Sequence, residues 1–261
     1  MTSKYFTAVF ICMTFLSVFP CSGQELQAGL IFGAGVAKQK GYSELSEGFR
    51  ERLVPYFGIS LGKSLSRYFS LKTEINYSLE GGKRTGIQPI DHNLINPRAG
   101  FPDTILYASF KNEIKLSYIE MPLLLQFSID KDEIHSRVFY HLTFGPFLAL
   151  RIKAKRVTSG SGRIYVDSRG TSPLTLKDGA ELPAQSFESV NNIGEEVKRL
   201  NAGIITGLGI GYKYFEHKFF AEARFVKGLI NIQSRPDQSG RSKTASLLFS
   251  AGYIYHFQLR R

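Results

Sequence analysis

Histidines, serines and carboxylates are the side chains of this sequence that could carry acid–base, nucleophilic or metal chemistry. The five histidines, His92, His135, His141, His217 and His256, show neither a zinc-protease motif nor paired spacing on one strand. No serine stands at a nucleophile elbow, the strand-to-helix turn that exposes a catalytic hydroxyl. We expect His141 and His256 to point into the interior of the fold as satisfied histidines.

A glycine-rich stretch from Gly58 to Ser64 resembles a phosphate-binding loop. It has one residue too few between its glycines, and no helix follows it. Gly207, Gly209 and Gly211 likewise lack the spacing of a dinucleotide-binding turn. We predict no catalytic residue, no cofactor-binding residue and no metal ligand, and we expect a protein that is not an enzyme.

Six charged residues share the polar side of the segments that contain them: Lys72, Glu74, Glu120, Arg151, Glu222 and Arg224. If that side faces the inside of a narrow barrel, each charge needs a partner, because burying an unpaired charge is costly. The set therefore predicts an internal plug of salt bridges and no general solute channel.

The elements that would position these residues alternate apolar with polar or small residues, which is the period of a β-strand. The clearest case runs from Phe69 to Glu80, where Leu71, Ile75 and Leu79 share one face. Eight such segments occur, near 26–36, 53–63, 69–80, 114–127, 138–152, 200–213, 219–227 and 245–257. After the first two dozen residues no apolar run approaches the roughly 18 residues of a transmembrane helix.

The connections between these segments alternate strictly between short and long. The short ones are 64–68, 128–136 and 213–218; the long ones are 37–52, 81–113, 153–199 and 228–244. Short turns at one rim and long loops at the other are typical of outer-membrane barrels, with the turns in the periplasm and the loops outside. The loop 153–199 is long enough that we expect it to be functional or disordered.

Glycine decides which face of the strands would meet lipid. The polar parity is crowded with glycines, namely Gly29, Gly33, Gly35, Gly58, Gly62, Gly203, Gly207, Gly209 and Gly211. An eight-stranded barrel has room inside for only its own side chains, so small residues belong there and bulky ones face outward. We predict an all-β fold: a closed, antiparallel, up-and-down transmembrane β-barrel of about eight strands.

The N-terminus predicts a secretory signal peptide over residues 1–23, followed by one barrel domain over 24–261. Lys4 precedes an apolar stretch from Tyr5 to Phe19, and cleavage after Gly23 would place small residues at the required positions. The net charge of +11 comes from basic residues scattered over the connections, a pattern that argues against nucleic-acid binding. We expect the protein in the bacterial outer membrane.

The run Leu116-Ser117-Tyr118-Ile119-Glu120-Met121-Pro122-Leu123-Leu124-Leu125 resembles a signature strand of the PorT-like outer-membrane β-barrel family. The segment from Arg224 to Ile232 resembles a second family motif. The family takes its name from a component linked to protein secretion, so the resemblance implies a role in protein export or surface assembly and a secretion or surface protein as partner. Pro122 cannot donate to a ladder, so we predict a β-bulge there.

Two further partners are expected from the sequence. Ser250, Gly252, Tyr255 and Phe257 resemble the C-terminal signal that the barrel assembly machinery reads. In the last loop, Arg235, Arg241 and Lys243 could meet phosphates of lipopolysaccharide, alongside the surrounding outer-membrane lipid.

The function that we expect is a structural or interaction role in the outer membrane. Two alternatives stay open at this point. One is an outer-membrane enzyme with its site at the extracellular rim, which would require a converging cluster of His, Ser and Asp or Glu. The other is a soluble periplasmic ligand-binding barrel, which would require the bulky parity to point inward.

Overall fold

Eight long strands make up most of the computed structural model, which describes residues 25–42, 48–90, 105–130, 137–175, 179–235 and 240–258. The strands are Glu25–Gly41 (β1), Arg52–Ser64 (β2), Phe69–Pro89 (β3), Tyr107–Asp130 (β4), Val138–Ser159 (β5), Leu200–Tyr214 (β6), His217–Gly228 (β7) and Ser242–Gln258 (β8). The predicted signal peptide lies outside the described residues.

Every long strand is antiparallel to its neighbours, and the sheet closes on itself. The order β4-β3-β2-β1-β8-β7-β6-β5 is completed by pairing of β5 with β4. Closure satisfies the backbone donors and acceptors of all eight strands without leaving an edge, as a strand in hydrocarbon requires. The described residues contain no helix long and apolar enough to cross a membrane.

The stagger of the barrel can be followed along one ring of cross-strand partners. From Phe32 in β1, one direction passes through Phe57, Tyr77 and Ile119 to Leu150 in β5, and the other passes through Ala251, Ala221 and Ile210 to Tyr140 in β5. The two paths therefore meet β5 ten residues apart. A stagger of this kind tilts the strands and gives a barrel whose interior is filled by side chains.

The side chains are arranged with the bulky apolar residues outside, as predicted. Leu208 is 65% exposed and Phe249 is 61% exposed, whereas Arg224 is 0% exposed. All nine glycines predicted to face inward lie on the inward parity, among residues such as Gln27, Tyr56 and Asn201. Inside, the buried charges share the bore with apolar side chains such as Phe147 and Phe220. An apolar exterior around an interior that holds buried charges is the arrangement of a membrane barrel, and it excludes the soluble ligand-binding alternative.

Short and long connections alternate as expected, but three strands continue well beyond the predicted ends. The short connections are 65–68, 131–137 and 215–216, of which 131–136 lie outside the described residues. At the opposite rim β3 reaches Pro89, β4 begins at Tyr107 and β5 reaches Ser159, so much of the predicted loop 81–113 is a paired hairpin. Outside the membrane both faces of the hairpin meet water or protein. The sequence of these strand ends therefore lacks the alternation of apolar with polar residues that marks a membrane-spanning strand.

The predicted bulge at Pro122 is wrong. Pairing with β5 keeps one register from Tyr118 through Pro122 to Asp130, and Pro122 is buried on the inward parity. The register shift lies instead between Ser117 and Tyr118, where Ile152 is an extra residue in β5. The sequence switches apolar parity because Ile114 and Leu116 are apolar residues that point into the barrel mouth.

Aromatic side chains gather at the rim that carries the short turns. His217 packs on Tyr253 and Tyr255, with ring centroids 5.8 and 5.4 Å apart, and Tyr255 contacts Phe257 at 4.8 Å. Phe215 occupies the two-residue turn at a φ of 54° and is 81% exposed. Aromatic girdles of this kind mark the boundary between hydrocarbon and headgroups.

Candidate functional site

An ion pair crosses the bore of the barrel at mid-height. Arg224 projects from β7 and Glu74 from β3, and these strands are four steps apart in either direction around the eight-stranded ring. The Arg224 Nη1 lies 2.6 Å from Glu74 Oε2, and its Nη2 lies 2.8 Å from Glu74 Oε1. A bidentate pair therefore spans the bore between opposite walls at this level.

The remaining donors of Arg224 are also satisfied within the bore. Its Nε donates to Glu222 Oε2 at 2.9 Å, and Nη1 donates to the hydroxyl of Tyr56 at 3.0 Å. The other oxygen of Glu222 accepts from the Thr143 hydroxyl. One arginine is thus shared by two carboxylates, which compensates the loss of hydration that all of these charges undergo.

Glycines on the inward parity provide the space for these interior side chains. A Cβ on Gly207 would collide with Glu222 and Thr143, and one on Gly58 would collide with Asn76. In the same way Gly209 leaves room for the ring of His141, and the two are directly paired in β6 and β5. At these three positions the glycine lies beside a large interior side chain of a neighbouring strand.

Five of the six charges predicted to form the plug are buried in the bore, and the sixth is not part of it. Lys72 is buried with Nζ 5.1 Å from the Phe220 ring, and Glu120 is buried with one carboxylate oxygen lacking a hydrogen bond in the described part of the chain. Arg151 instead reaches the loop above, where Nη2 donates to the Gly194 carbonyl at 2.8 Å. It lies within β5 beside the register shift, as the cross-strand partner of Tyr118.

The extracellular mouth of the bore is closed by apolar residues, which the sequence analysis missed. Ile114, Leu116 and Val54 point inward from the strands, and Phe49, Ile193, Val197 and Ile232 reach them from the connections. Burial of these groups excludes water above the salt bridges. The apolar residues Ile114 and Leu116 on the inward parity could have indicated this closure, but the change of apolar parity after them was attributed to a bulge at Pro122.

Beyond the mouth, the chain builds a second apolar core outside the membrane. Hairpin residues Leu106, Ala108 and Phe110 pack with residues of the long β5–β6 connection, namely Ile164, Leu174, Phe187 and Leu182. The rings of Phe110 and Phe187 stack with centroids 4.9 Å apart. We call this unit, residues 83–90, 105–113 and 153–199, the extension.

Short strands organise the extension. Ser161–Gly162 pairs with Gln185–Ser186, Ile164–Tyr165 pairs with the start of β4, and Ser189–Asn192 pairs with the end of β5. The described part of the loop predicted over 153–199 is therefore ordered by backbone pairing and by its own core.

A carboxylate holds the exposed turn of the extension. Asp167 accepts from the backbone amides of Arg169 at 2.8 Å and Ser172 at 2.6 Å, and from that of Thr171. Desolvation raises the pKa of the Asp167 carboxyl, but the amide donors of Thr171, Ser172 and Arg169 outweigh it, so the pKa lies below its ordinary value. The turn is therefore held by the ionised form.

The described histidines do not form a catalytic arrangement at the extracellular rim. His141 and His256 are buried in the bore, as predicted, but neither ring nitrogen of His141 has a hydrogen bond in the described part of the chain, so the expectation of a satisfied histidine is wrong there. His217 lies at the two-residue turn with Nδ1 2.7 Å from the Tyr253 hydroxyl. Ser60 lies within a Gly-x-Ser-x-Gly sequence, but it is buried inside β2 with no helix after it. His92 and His135 lie outside the described residues.

A closed eight-stranded barrel with an apolar exterior, a charged bore and long loops at one rim defines an integral membrane protein of the outer-membrane type. The family comparison agrees: residues 22–234 match the model of the outer membrane protein beta-barrel domain. The chain belongs to this family, and the outer membrane is its location. No match to the chain was found among curated proteins.

The chain is also similar to several solved structures. Neisserial surface protein A is 15% identical over 90% of this chain and 98% of its own, with a TM-score of 0.39. Ail of Yersinia pestis is 11% identical over 90% and 100%, with a TM-score of 0.40. OprG of Pseudomonas aeruginosa is 10% identical over 90% and 96%, with a TM-score of 0.39.

Proposed function

We propose that this protein is a non-enzymatic surface module, in which a sealed barrel anchors the extension above the outer membrane for contact with another macromolecule. The observation that carries the proposal is the Arg224–Glu74 pair across the bore, with apolar closure of the mouth above it. We infer that such a barrel passes no solute, so the ordered structure outside the membrane is what it offers to partners.

The size and order of the extension support this role. A connection that merely joined β5 to β6 would need few residues, whereas this one builds several strand pairs and a core around Phe110 and Phe187. Chain that folds against its own apolar core presents a fixed surface, and fixed surfaces lose less conformational entropy on binding than mobile loops do.

The partner that we propose for the extension is a secreted or surface protein, in line with the resemblance to the PorT-like family. The C-terminal strand carries the second expected contact. Gly252 and Phe257 on β8 belong to the pattern that the barrel assembly machinery reads, and Phe257 is 47% exposed toward lipid. The contact of the extension with a secreted or surface protein concerns function, whereas the contact of β8 with the assembly machinery concerns insertion into the membrane.

The test is a variant that loses residues 160–188, the central part of the extension, but keeps the barrel. Thr158 and Ser189 are cross-strand partners, so a short Gly-Ser turn can join Ser159 to Ser189 in place of residues 160–188. A deletion strain is complemented with the wild-type gene or with this variant, and the secreted and surface-attached proteins are profiled in each.

We expect the variant to insert normally, as checked by membrane fractionation and by the faster gel migration of unheated folded barrels, yet to reproduce the profile of the deletion strain. A profile identical to wild type from the inserted variant would contradict a role for the extension. An unchanged profile in the deletion strain itself would contradict export or surface assembly.

A further inference from the structure

A groove runs along the lipid-facing wall where β6, β7, β8 and β1 meet. Its floor is made of Ala221, Ala223 and Ala251, and its walls include Phe32, Phe249 and Leu208. The volume is about 620 Å³, and the lining is almost entirely apolar. Small residues among large ones on the outward parity produce the depression.

Four lysines lie on the same outward face as the groove, closer to the extracellular rim. The row next to the groove holds Val36, Leu247 and Phe225. The row beyond it contains Lys38, Ala245 and Lys227 as successive cross-strand partners, and one row further Lys40 pairs directly with Lys243. Within the described part of the chain only Lys38 has an ion pair within 4 Å, with Glu51 at 3.2 Å. Like charges placed directly opposite each other cost stability, so this cluster favours an anion between its members.

The depth of the groove fits one membrane leaflet. Six residues separate Lys227 from Ala221 on β7, which is about 20 Å along the strand. At the usual tilt of roughly 40° this corresponds to about 15 Å of depth, half of the hydrocarbon core of about 30 Å. A chain that hangs from the lysines would therefore end near the middle of the bilayer, where the chains of the outer leaflet end.

We propose that this groove binds one outer-leaflet phosphorylated glycolipid, with its phosphates between Lys38, Lys40, Lys227 and Lys243 and one acyl chain along Ala223 and Ala221. The site is independent of the extension and of any surface partner. Of the basic residues expected to meet lipopolysaccharide, Lys243 belongs to the cluster, while Arg235 and Arg241 are exposed in the connection above it.

The test measures binding of diphosphoryl lipid A to the full-length protein by native mass spectrometry from mixed micelles. One variant combines Lys38→Gln, Lys227→Gln and Lys243→Gln, and a second carries Ala223→Leu, which fills the groove. The matched control combines Lys115→Gln, Lys153→Gln and Lys155→Gln, which removes an outward lysine cluster on β4 and β5. Should Ala223→Leu fail to fold, Ala221→Val replaces it.

We expect the triple lysine variant to bind roughly a hundred-fold more weakly than wild type, at about five-fold for each lysine removed. The groove variant should also weaken binding, and the β4–β5 control should bind as wild type does. Equal weakening in the control, or unchanged binding in both site variants, would overturn the proposal. Lipid A lacking both phosphates should bind poorly, and equal binding of phosphatidylglycerol with the same variant dependence would overturn the assignment to a glycolipid.

Discussion

The bore of the barrel and the extension differ in where they place their charges, although the same strands run through both. In the bore, Arg224, Glu74 and Glu222 are fully buried charges held by hydrogen bonds, and glycines leave the room they occupy. In the extension the core is apolar, and ion pairs such as Arg156–Glu196 lie near its surface. The bore also holds buried apolar side chains such as Phe139, Phe147 and Phe220. It therefore differs from the extension in placing charges within its core, whereas the extension keeps its charges near the surface, as proteins in water do.

Removal of Arg224 should show this contrast most strongly. Arg224→Met leaves Glu74 and Glu222 buried without their partner, and breaking a buried pair in this way costs roughly 3–5 kcal/mol. Arg156→Met in the extension should cost at most about 1 kcal/mol, because its pair with Glu196 is partly solvated. Urea unfolding of both variants in lipid vesicles measures the difference, and similar losses would contradict the contrast.

The core of the extension should be breakable without loss of the barrel. Phe110→Ala removes the ring that stacks on Phe187, at a local cost of about 3 kcal/mol. We expect limited proteolysis to cut the 160–190 region faster, while the unheated protein keeps its folded gel mobility. The exposed neighbour Ser109 supplies a control as Ser109→Ala. Loss of the folded band would show that the two regions are one cooperative unit.

Replacing an inward glycine by a larger residue should lower the free energy of unfolding less than removing a buried charge does. Gly207→Val places atoms where Glu222 and Thr143 lie, and overpacking of this kind costs typically about 1–3 kcal/mol. Ala202→Val on the same strand points outward and should be close to neutral, since it adds apolar surface toward lipid. The two variants are compared by urea unfolding. Equal losses of stability would contradict the claim that Gly207 leaves space for Glu222 and Thr143.

Much of the barrel could be predicted from the sequence because each transmembrane strand is apolar on one face and polar or small on the other. That contrast identified all eight strands, the inward glycines and five of the six plug residues. The contrast between faces is lost beyond the membrane, where lipid no longer requires it. There β3 continues to Pro89 and β4 begins at Tyr107 without alternation, and Ile114 and Leu116 line the mouth of the bore. The cross-bore partner of Arg224 was also beyond sequence, because the pairing depends on which strands face each other around the ring.

The smallest effect concerns pH at the turn of the extension. The folded pKa of Asp167 is lower than its ordinary value of about 3.9, so its contribution is present at neutral pH and is lost as the pH falls through the folded pKa. We expect hydrogen-exchange protection around Thr171 and Ser172, corrected for intrinsic rates, to fall in strong acid. In Asp167→Asn the protection should be lower at neutral pH and insensitive to acid; the same acid response in this variant would exclude the carboxylate as its cause.

The closed bore is the central claim, and conductance tests it most directly. Purified full-length protein is inserted into planar bilayers, and the current is recorded for wild type and for a double variant, Arg224→Ala with Glu74→Ala, that empties the cross-bore contact. We predict no steady conductance steps from wild type, with any increase confined to the variant. Stable steps from the wild-type protein, unchanged in the variant, would contradict the closure by Arg224 and Glu74 and the sealed anchor that rests on it.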